Sequence, residues 1–172
     1  MHSLILGGAR SGKSALAERI ATDSMREVVY VATAQAGDEE MHTRIEHHRA
    51  RRPEHWIAVE EPLALAQALR ANARVDRCVL VDCLTLWLSN LLGNEDHARF
   101  AHERESLLAT LPVLPGEIVL VSNEVGLGVV PMGELTRRFV DEAGRLHQAL
   151  AAHCDRVILV TAGLPLALKG SL

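Results

Sequence analysis

Apolar residues along the 172-residue chain follow two rhythms. Short runs dominated by Val, Ile and Leu occupy Ser3 to Leu6, Glu27 to Thr33, Arg77 to Asp82, Glu117 to Ser122 and Arg156 to Thr161, without polar alternation. Such runs read as strands buried on both faces, which is what a parallel sheet covered by helices requires. Between them, apolar positions recur at helical spacing over Lys13 to Asp23, Glu39 to Arg51, Leu63 to Ala73, Leu84 to Leu92, His97 to Leu111 and Glu134 to His153. A weaker run, Trp56 to Glu60, reads as an edge strand. Within Leu84 to Leu92, the residues Leu84, Trp87, Leu88 and Leu91 stand at i, i+3, i+4 and i+7, which predicts a helix whose stripe packs into the core. Strands alternating with helices predict a layered α/β fold. Its sheet is mainly parallel, and Leu164 to Lys169 is added at an edge, with antiparallel pairing as one option.

Composition narrows the class. Hydrophobic residues at 48% and charged residues at 23% match soluble globular chains and exclude disordered, collagen-like and rod-like classes. The length suits one domain spanning residues 1–172, and no linker or internal repeat divides it. Aromatic residues are only 3%, so the core is aliphatic. A net charge of −4 gives no general electrostatic reason to bind nucleic acid or an anionic membrane. The longest apolar stretch, Cys78 to Leu92, is interrupted by Asp82, Thr85, Ser89 and Asn90 and falls short of the roughly 20 residues of a membrane span. The first apolar run is too short for a signal peptide. Three cysteines, Cys78, Cys83 and Cys154, contain no CxxC pair, so neither a disulfide framework nor a zinc knuckle is indicated. The cytoplasm is the compartment these features imply.

Gly7, Gly8, Ala9, Arg10, Ser11, Gly12, Lys13 and Ser14 fit GxxxxGKS directly after the first strand and at the start of the first helix. The residue types suit phosphate. Glycines let backbone N–H groups curl around phosphate oxygens, and the helix N-terminus adds positive potential. Lys13 neutralises the β- and γ-phosphates, and the Ser14 hydroxyl ligates Mg²⁺. Asp82, ending an apolar strand, reads as the acid that holds Mg²⁺ directly or through water. The loop and the acid together predict a P-loop NTPase fold, RecA-like, with its site at the carboxyl ends of the parallel strands.

The segment Arg44 to Arg52 packs two histidines and four arginines into nine residues of an otherwise acidic chain. Met41, Ile45 and His48 share a helical face, and His47 is turned about 100° away. A partly buried histidine and a solvated basic helix are the plain readings. The sharper one is a neutral imidazole that attacks a nucleotide phosphate and forms a phosphoramidate, with arginines stabilising the transferring group. The residues alone leave open a small-metabolite kinase, a nucleotidyltransferase working through histidine, and a nucleotide sensor without chemistry.

Taken jointly, several segments resemble one family almost end to end. They are LGGARSGKS (Leu6 to Ser14), YVATAQAGDEEMHTRIEHHRARRPEHW (Tyr30 to Trp56), VDCLTLWLSNLL (Val81 to Leu92), VSNEVGLGVVP (Val121 to Pro131), FVDEAGRLHQ (Phe139 to Gln148) and the closing VTAGLPLALK. The chain is similar to the bifunctional adenosylcobinamide kinases and adenosylcobinamide-phosphate guanylyltransferases of cobalamin biosynthesis. That resemblance implies phosphorylation of adenosylcobinamide by ATP or GTP. A transfer of GMP from GTP through an enzyme histidine to adenosylcobinamide phosphate follows, giving adenosylcobinamide-GDP and pyrophosphate. It places the nucleophile at His48, with His47 as the alternative. It implies that Thr33, Ala34, Gln35, Arg49, Ala50, Arg51, Arg52, Glu60 and Asp82 complete the nucleotide site begun by Gly7 to Ser14. Asn123, Glu124 and Gly126 follow another strand and offer either a further substrate contact or a turn shaped by glycine. His147 departs from the family pattern, in which Asn is usual. The resemblance further implies a homotrimer acting on small-molecule substrates.

Overall fold

The computed structural model describes residues 1–35 and 53–172, and of His97 the backbone alone. In chain order the elements are β1 (His2–Gly7), α1 (Lys13–Asp23), β2 (Glu27–Ala32), β3 (Ile57–Glu60), α2 (Leu65–Asn72), β4 (Arg77–Asp82), α3 (Leu84–Leu92), α4 (His97–Thr110), β5 (Glu117–Asn123), α5 (Glu134–His153), β6 (Arg156–Thr161) and β7 (Leu164–Lys169). A short 3₁₀ turn, Leu111–Val113, follows α4. The expected helix Glu39 to Arg51 lies outside the described residues.

Seven strands form one sheet in the order β3-β2-β4-β5-β1-β6-β7. All pairings are parallel except β6 with β7. Every residue of β1 is buried, because β1 lies between β5 and β6 and is covered on both faces. Successive strand residues point to opposite faces. Leu4, Leu6, Val79, Val81, Ile118 and Leu120 therefore enter a core with α2 to α5, which supply Leu65, Leu69, Trp87, Leu88, Leu107, Leu146 and Leu150. Ile5, Cys78, Leu80, Val119, Val121 and Ile158 enter the opposite core with Leu16, Ala17 and Ala21 of α1. The result is the three-layer α/β fold expected from the runs of Val, Ile and Leu.

Local chemistry sets several boundaries away from the periodicity. Helix α2 starts at Leu65 rather than Leu63, because the Glu61 carboxylate accepts from the N–H groups of Leu63 and Ala64 at 2.9 and 2.7 Å and holds that turn outside the helix. Strand β2 ends at Ala32, one residue early, because Thr33 turns its hydroxyl onto the Cys83 backbone. Helix α4 starts from Asp96, whose Oδ1 accepts from the Ala98 N–H at 3.1 Å, an ordinary N-cap. The strand expected at Trp56 to Glu60 forms from Ile57 and does lie at an edge, beside β2. At the other edge β7 pairs antiparallel through a two-residue turn, Ala162 and Gly163, with φ of 52° and 77°. Positive φ at both central residues gives the turn twist that suits a two-residue hairpin. All three cysteines are buried free thiols, and burial raises Cys78 and Cys154 to about 12, which makes them inert core residues.

Candidate active site

The end of β1 runs straight into the phosphate loop. A Cβ on Gly7 would lie 2.5 Å from both Ser11 Oγ and the Val160 carbonyl oxygen, so only glycine fits where the loop folds back between β1 and β6. The Ser11 N–H donates to Gly8 O at 3.3 Å, closing the turn, and Ser11 O accepts from the Gly163 N–H at 2.9 Å. Gly12 caps α1 in the left-handed region at φ 97°, with Gly163 Cα only 3.2 Å from where its Cβ would sit. The loop is thus clasped from outside by the β6–β7 turn.

Lys13 opens α1, and its Nζ donates to Gly8 O at 3.0 Å, which keeps the ammonium over the loop. Burial pushes the Lys13 ammonium below the ordinary lysine value, and the charge of Asp82 acts in the opposite direction. Asp82 ends β4, two strands from β1, and its Oδ2 accepts from the Tyr30 hydroxyl at 3.3 Å. The structure therefore brings the loop, Lys13 and Asp82 to the carboxyl ends of the inner strands β1 and β4. Ser14 is half-buried in the first turn of α1.

The other expected nucleotide contacts are placed differently. Thr33 is fully buried, donating to Cys83 O at 2.6 Å and accepting from Cys83 N at 3.0 Å, so its side chain braces the backbone after Asp82. Ala34 is half-buried and Gln35 exposed, just beyond the strand end. Glu60 closes β3 in register with Ala32. His47, His48, Arg49, Ala50, Arg51 and Arg52 lie outside the described residues.

The fold also assembles polar groups that the sequence did not single out as a unit. Asn90 Nδ2 donates to Thr33 O at 2.8 Å and to Pro62 O at 3.1 Å, pinning the loop after β2 to α3. Thr85 Oγ1 accepts from the Asn123 N–H at 2.6 Å and lies 3.3 Å from Ser122 Oγ. Ser122 Oγ in turn lies 2.8 Å from Nε2 of the buried His147. Glu124, immediately after β5, donates its N–H to Gly7 O at 3.0 Å and accepts the Gly126 N–H on Oε1 at 2.6 Å. Thr85 and Asn90 were visible only as polar breaks in an apolar helix, the one sequence signal that could have marked them.

Burial holds His147 below the ordinary histidine value of 6.5, against the raising effect of Glu124. His2 is lowered in the same way, first by burial and then by the N-terminal ammonium. A depressed folded-state value means that the unfolded chain binds more protons, so stability is fully present above 6.5 and is lost as pH falls through the folded values. The melting temperature is expected to drop from about pH 7.5 to about pH 5, and a His147→Asn variant to show a shallower drop in parallel melts. An equally steep decline in that variant would show that His147 is not a source of the acid sensitivity.

A mainly parallel sheet with a phosphate loop after an inner strand, and an acid two strands away, defines a P-loop NTPase of RecA-like architecture. The RadB recombinase shares this fold at a TM-score of 0.53 and 17% identity, over 92% of this chain and 73% of that one. The chain belongs to the cobinamide kinase / cobinamide phosphate guanyltransferase family, whose model matches residues 3–168. It is 65% identical over 170 residues to the bifunctional adenosylcobalamin biosynthesis protein CobP of Pseudomonas aeruginosa, covering 99% of this chain and 98% of that protein. It is 42% identical to the corresponding CobU protein of Escherichia coli, covering 98% of this chain and all of its relative.

Proposed function

We propose that this chain, acting as a single domain, is a bifunctional transferase of cobalamin biosynthesis whose two reactions share the P-loop. In the first, adenosylcobinamide is phosphorylated by ATP or GTP. In the second, GMP passes from GTP to adenosylcobinamide phosphate by way of a histidine. The observation that carries this reading is the phosphate loop, with Lys13 folded over it and Asp82 at the same carboxyl end of the sheet, inside a chain that matches the family along nearly its whole length.

The phosphoryl step is in-line attack of the alcohol on the γ-phosphorus, for which positioning and charge stabilisation do most of the work. The loop N–H groups and the N-terminus of α1 hold the phosphates, and Lys13 neutralises their charge. Ser14 and Asp82 offer one hydroxyl and one carboxylate, hard oxygen donors that suit Mg²⁺ bound jointly with phosphates and water. Among the described residues no three His, Cys, Asp or Glu side chains gather to hold a metal alone. Mg²⁺ bound there would offset charge on the β- and γ-oxygens.

In the guanylyl step, His48 is the nucleophile. A neutral imidazole forms a P–N bond to the α-phosphorus as pyrophosphate leaves, and a phosphate oxygen of adenosylcobinamide phosphate then displaces the histidine. Imidazole suits the task because its unperturbed pKa of about 6.5 leaves it mostly neutral near pH 7. Arg49, Arg51 and Arg52 lie next in sequence and would meet the developing charge. Thr33, Ala34, Gln35, Ala50 and Glu60 complete the nucleotide surroundings, with a homotrimer in the cytoplasm as the working assembly. Among the described residues no helix is long and apolar enough to cross a membrane.

Intact-protein mass after incubation with GTP and Mg²⁺, without corrinoid, tests this reading. Wild type and His47→Ala are expected to gain an acid-labile GMP adduct, and His48→Ala to remain unmodified. Loss of the adduct in His47→Ala alone would move the nucleophile by one residue, and an unmodified, GTP-binding wild type would remove the covalent mechanism.

A further inference from the structure

A chain of polar side chains runs beside the phosphate loop. Thr85 Oγ1 accepts from the Asn123 N–H and lies 3.3 Å from Ser122 Oγ, which lies 2.8 Å from His147 Nε2. The two hydroxyls can donate either way. At the other end Glu124 Oε2, 3.8 Å from Nδ1, favours a proton on that nitrogen of the neutral ring, which leaves Nε2 to accept from Ser122. Burial at His147 favours that neutral ring.

Glu124 stands one residue past β5, the strand between β1, which leads into the phosphate loop, and β4, which ends at Asp82. Its N–H is fixed to Gly7 O, its Oε1 to the Gly126 N–H, and its side chain keeps 23% of its surface open to solvent. The Glu124 backbone is thus fixed beside the first glycine of the loop, and its carboxylate stays open to an incoming substrate.

We infer that Glu124 is the catalytic residue that accepts the alcohol's proton during phosphorylation, and that His147 is the positioning residue whose Nδ1–H, 3.8 Å from Oε2 and short of a hydrogen bond in the free protein, closes on that carboxylate as substrate enters. The inference rests on the kinase half of the proposed function. As the substrate oxygen forms its bond to the γ-phosphorus, its proton passes to the Glu124 carboxylate. The bond from the γ-phosphorus to the β–γ bridging oxygen breaks, and its electron pair leaves with the nucleoside diphosphate. Nothing beyond the nucleoside triphosphate and the alcohol is consumed. The guanylyl half-reaction begins from a neutral imidazole and a phosphate oxygen, neither of which has a hydroxyl proton to surrender, so Glu124 is dispensable there.

The full-length protein is assayed twice, for ATP-dependent phosphorylation of adenosylcobinamide and for the GMP adduct formed with GTP alone. Glu124→Gln is expected to lower the phosphorylation kcat about 100-fold or more. Its KM for ATP should stay within about threefold of wild type, which identifies loss of a transition-state role rather than of binding. The adduct should persist. His147→Gln puts its amide at the Nε2 place, keeping Ser122 but abandoning Glu124, and should lower kcat about tenfold, the worth of a hydrogen bond to a charged group. His147→Asn puts an amide N–H at the Nδ1 place and should restore kcat to within about threefold of wild type. A phosphorylation rate unchanged in Glu124→Gln, or an Asn variant as impaired as the Gln variant, overturns the inference while leaving the bifunctional reading intact. A wild type that binds ATP and forms no phosphate ester removes the kinase reading and this inference with it.

Discussion

Replacement of Lys13 by methionine is expected to suppress both reactions, each by about 10²- to 10³-fold, in a protein that stays folded. The ammonium lies over Gly8 O, where it can reach a phosphate seated in the loop, and both half-reactions build charge on that phosphate chain. No other lysine or arginine of the described loop is buried in this way: Arg10 is exposed. The fold should tolerate the change. Lys13 is 8% exposed, its burial already disfavours the charged form, and methionine keeps an unbranched apolar stem of similar length. Phosphorylation of adenosylcobinamide and GMP-adduct formation, measured beside a melting curve, check both halves. A variant that retains its GMP adduct at the wild-type rate would show that the α-phosphorus is activated somewhere other than this loop.

Trp87→Ala is expected to cost about 3–5 kcal/mol, the usual range for emptying a buried aromatic site. Trp87 is fully buried on α3 within the larger core, and its Nε1 donates to Leu63 O at 2.8 Å. Truncation removes the ring's packing and orphans that carbonyl. Urea denaturation should show a lower midpoint with little change in slope, the sign of lost stability rather than a different unfolded state. Trp87→Phe keeps most of the ring volume and loses the hydrogen bond, so its cost should be nearer 1–2 kcal/mol. The damage reaches the site as well, because α3 also supplies Thr85 and Asn90 to the loops after β5 and β2. A loss below about 1 kcal/mol for the alanine variant would contradict the packing described for α3.

How much of this could be read from the residues follows from what each feature depends on. Strands β1, β2, β4, β5 and β6 were legible because burial on both faces makes a parallel strand apolar throughout. Strand β3 was weak because its edge position leaves Ile57, Ala58 and Glu60 exposed. The order of strands was not legible, since a helical crossover fixes direction and handedness without naming the neighbour. The antiparallel edge at β7 was open for a related reason: Leu164, Leu166 and Leu168 face outward, so alternation there carried no inward hydrophobic signal. At the site, Gly7 to Ser14 were legible because they are contiguous and each type has a known task. Thr33 entered the nucleotide site only through the family resemblance, and nothing in its residue type announced the two hydrogen bonds that its hydroxyl makes with the Cys83 backbone. The relation among Thr85, Ser122, Glu124 and His147 was invisible, because three separate elements bring those residues together.

The clasp between the β6–β7 turn and the phosphate loop also constrains how the enzyme comes into being on the ribosome. The loop is translated well before Gly163, yet Ser11 O receives its N–H partner, and Gly12 its neighbour, only when Gly163 has been made. The strands that flank β1, β5 and β6, also follow it by a long stretch of chain. A nascent chain therefore carries its phosphate-binding sequence long before it owns a phosphate-binding site, and nucleotide can reward folding only once β6 and the turn after it have emerged.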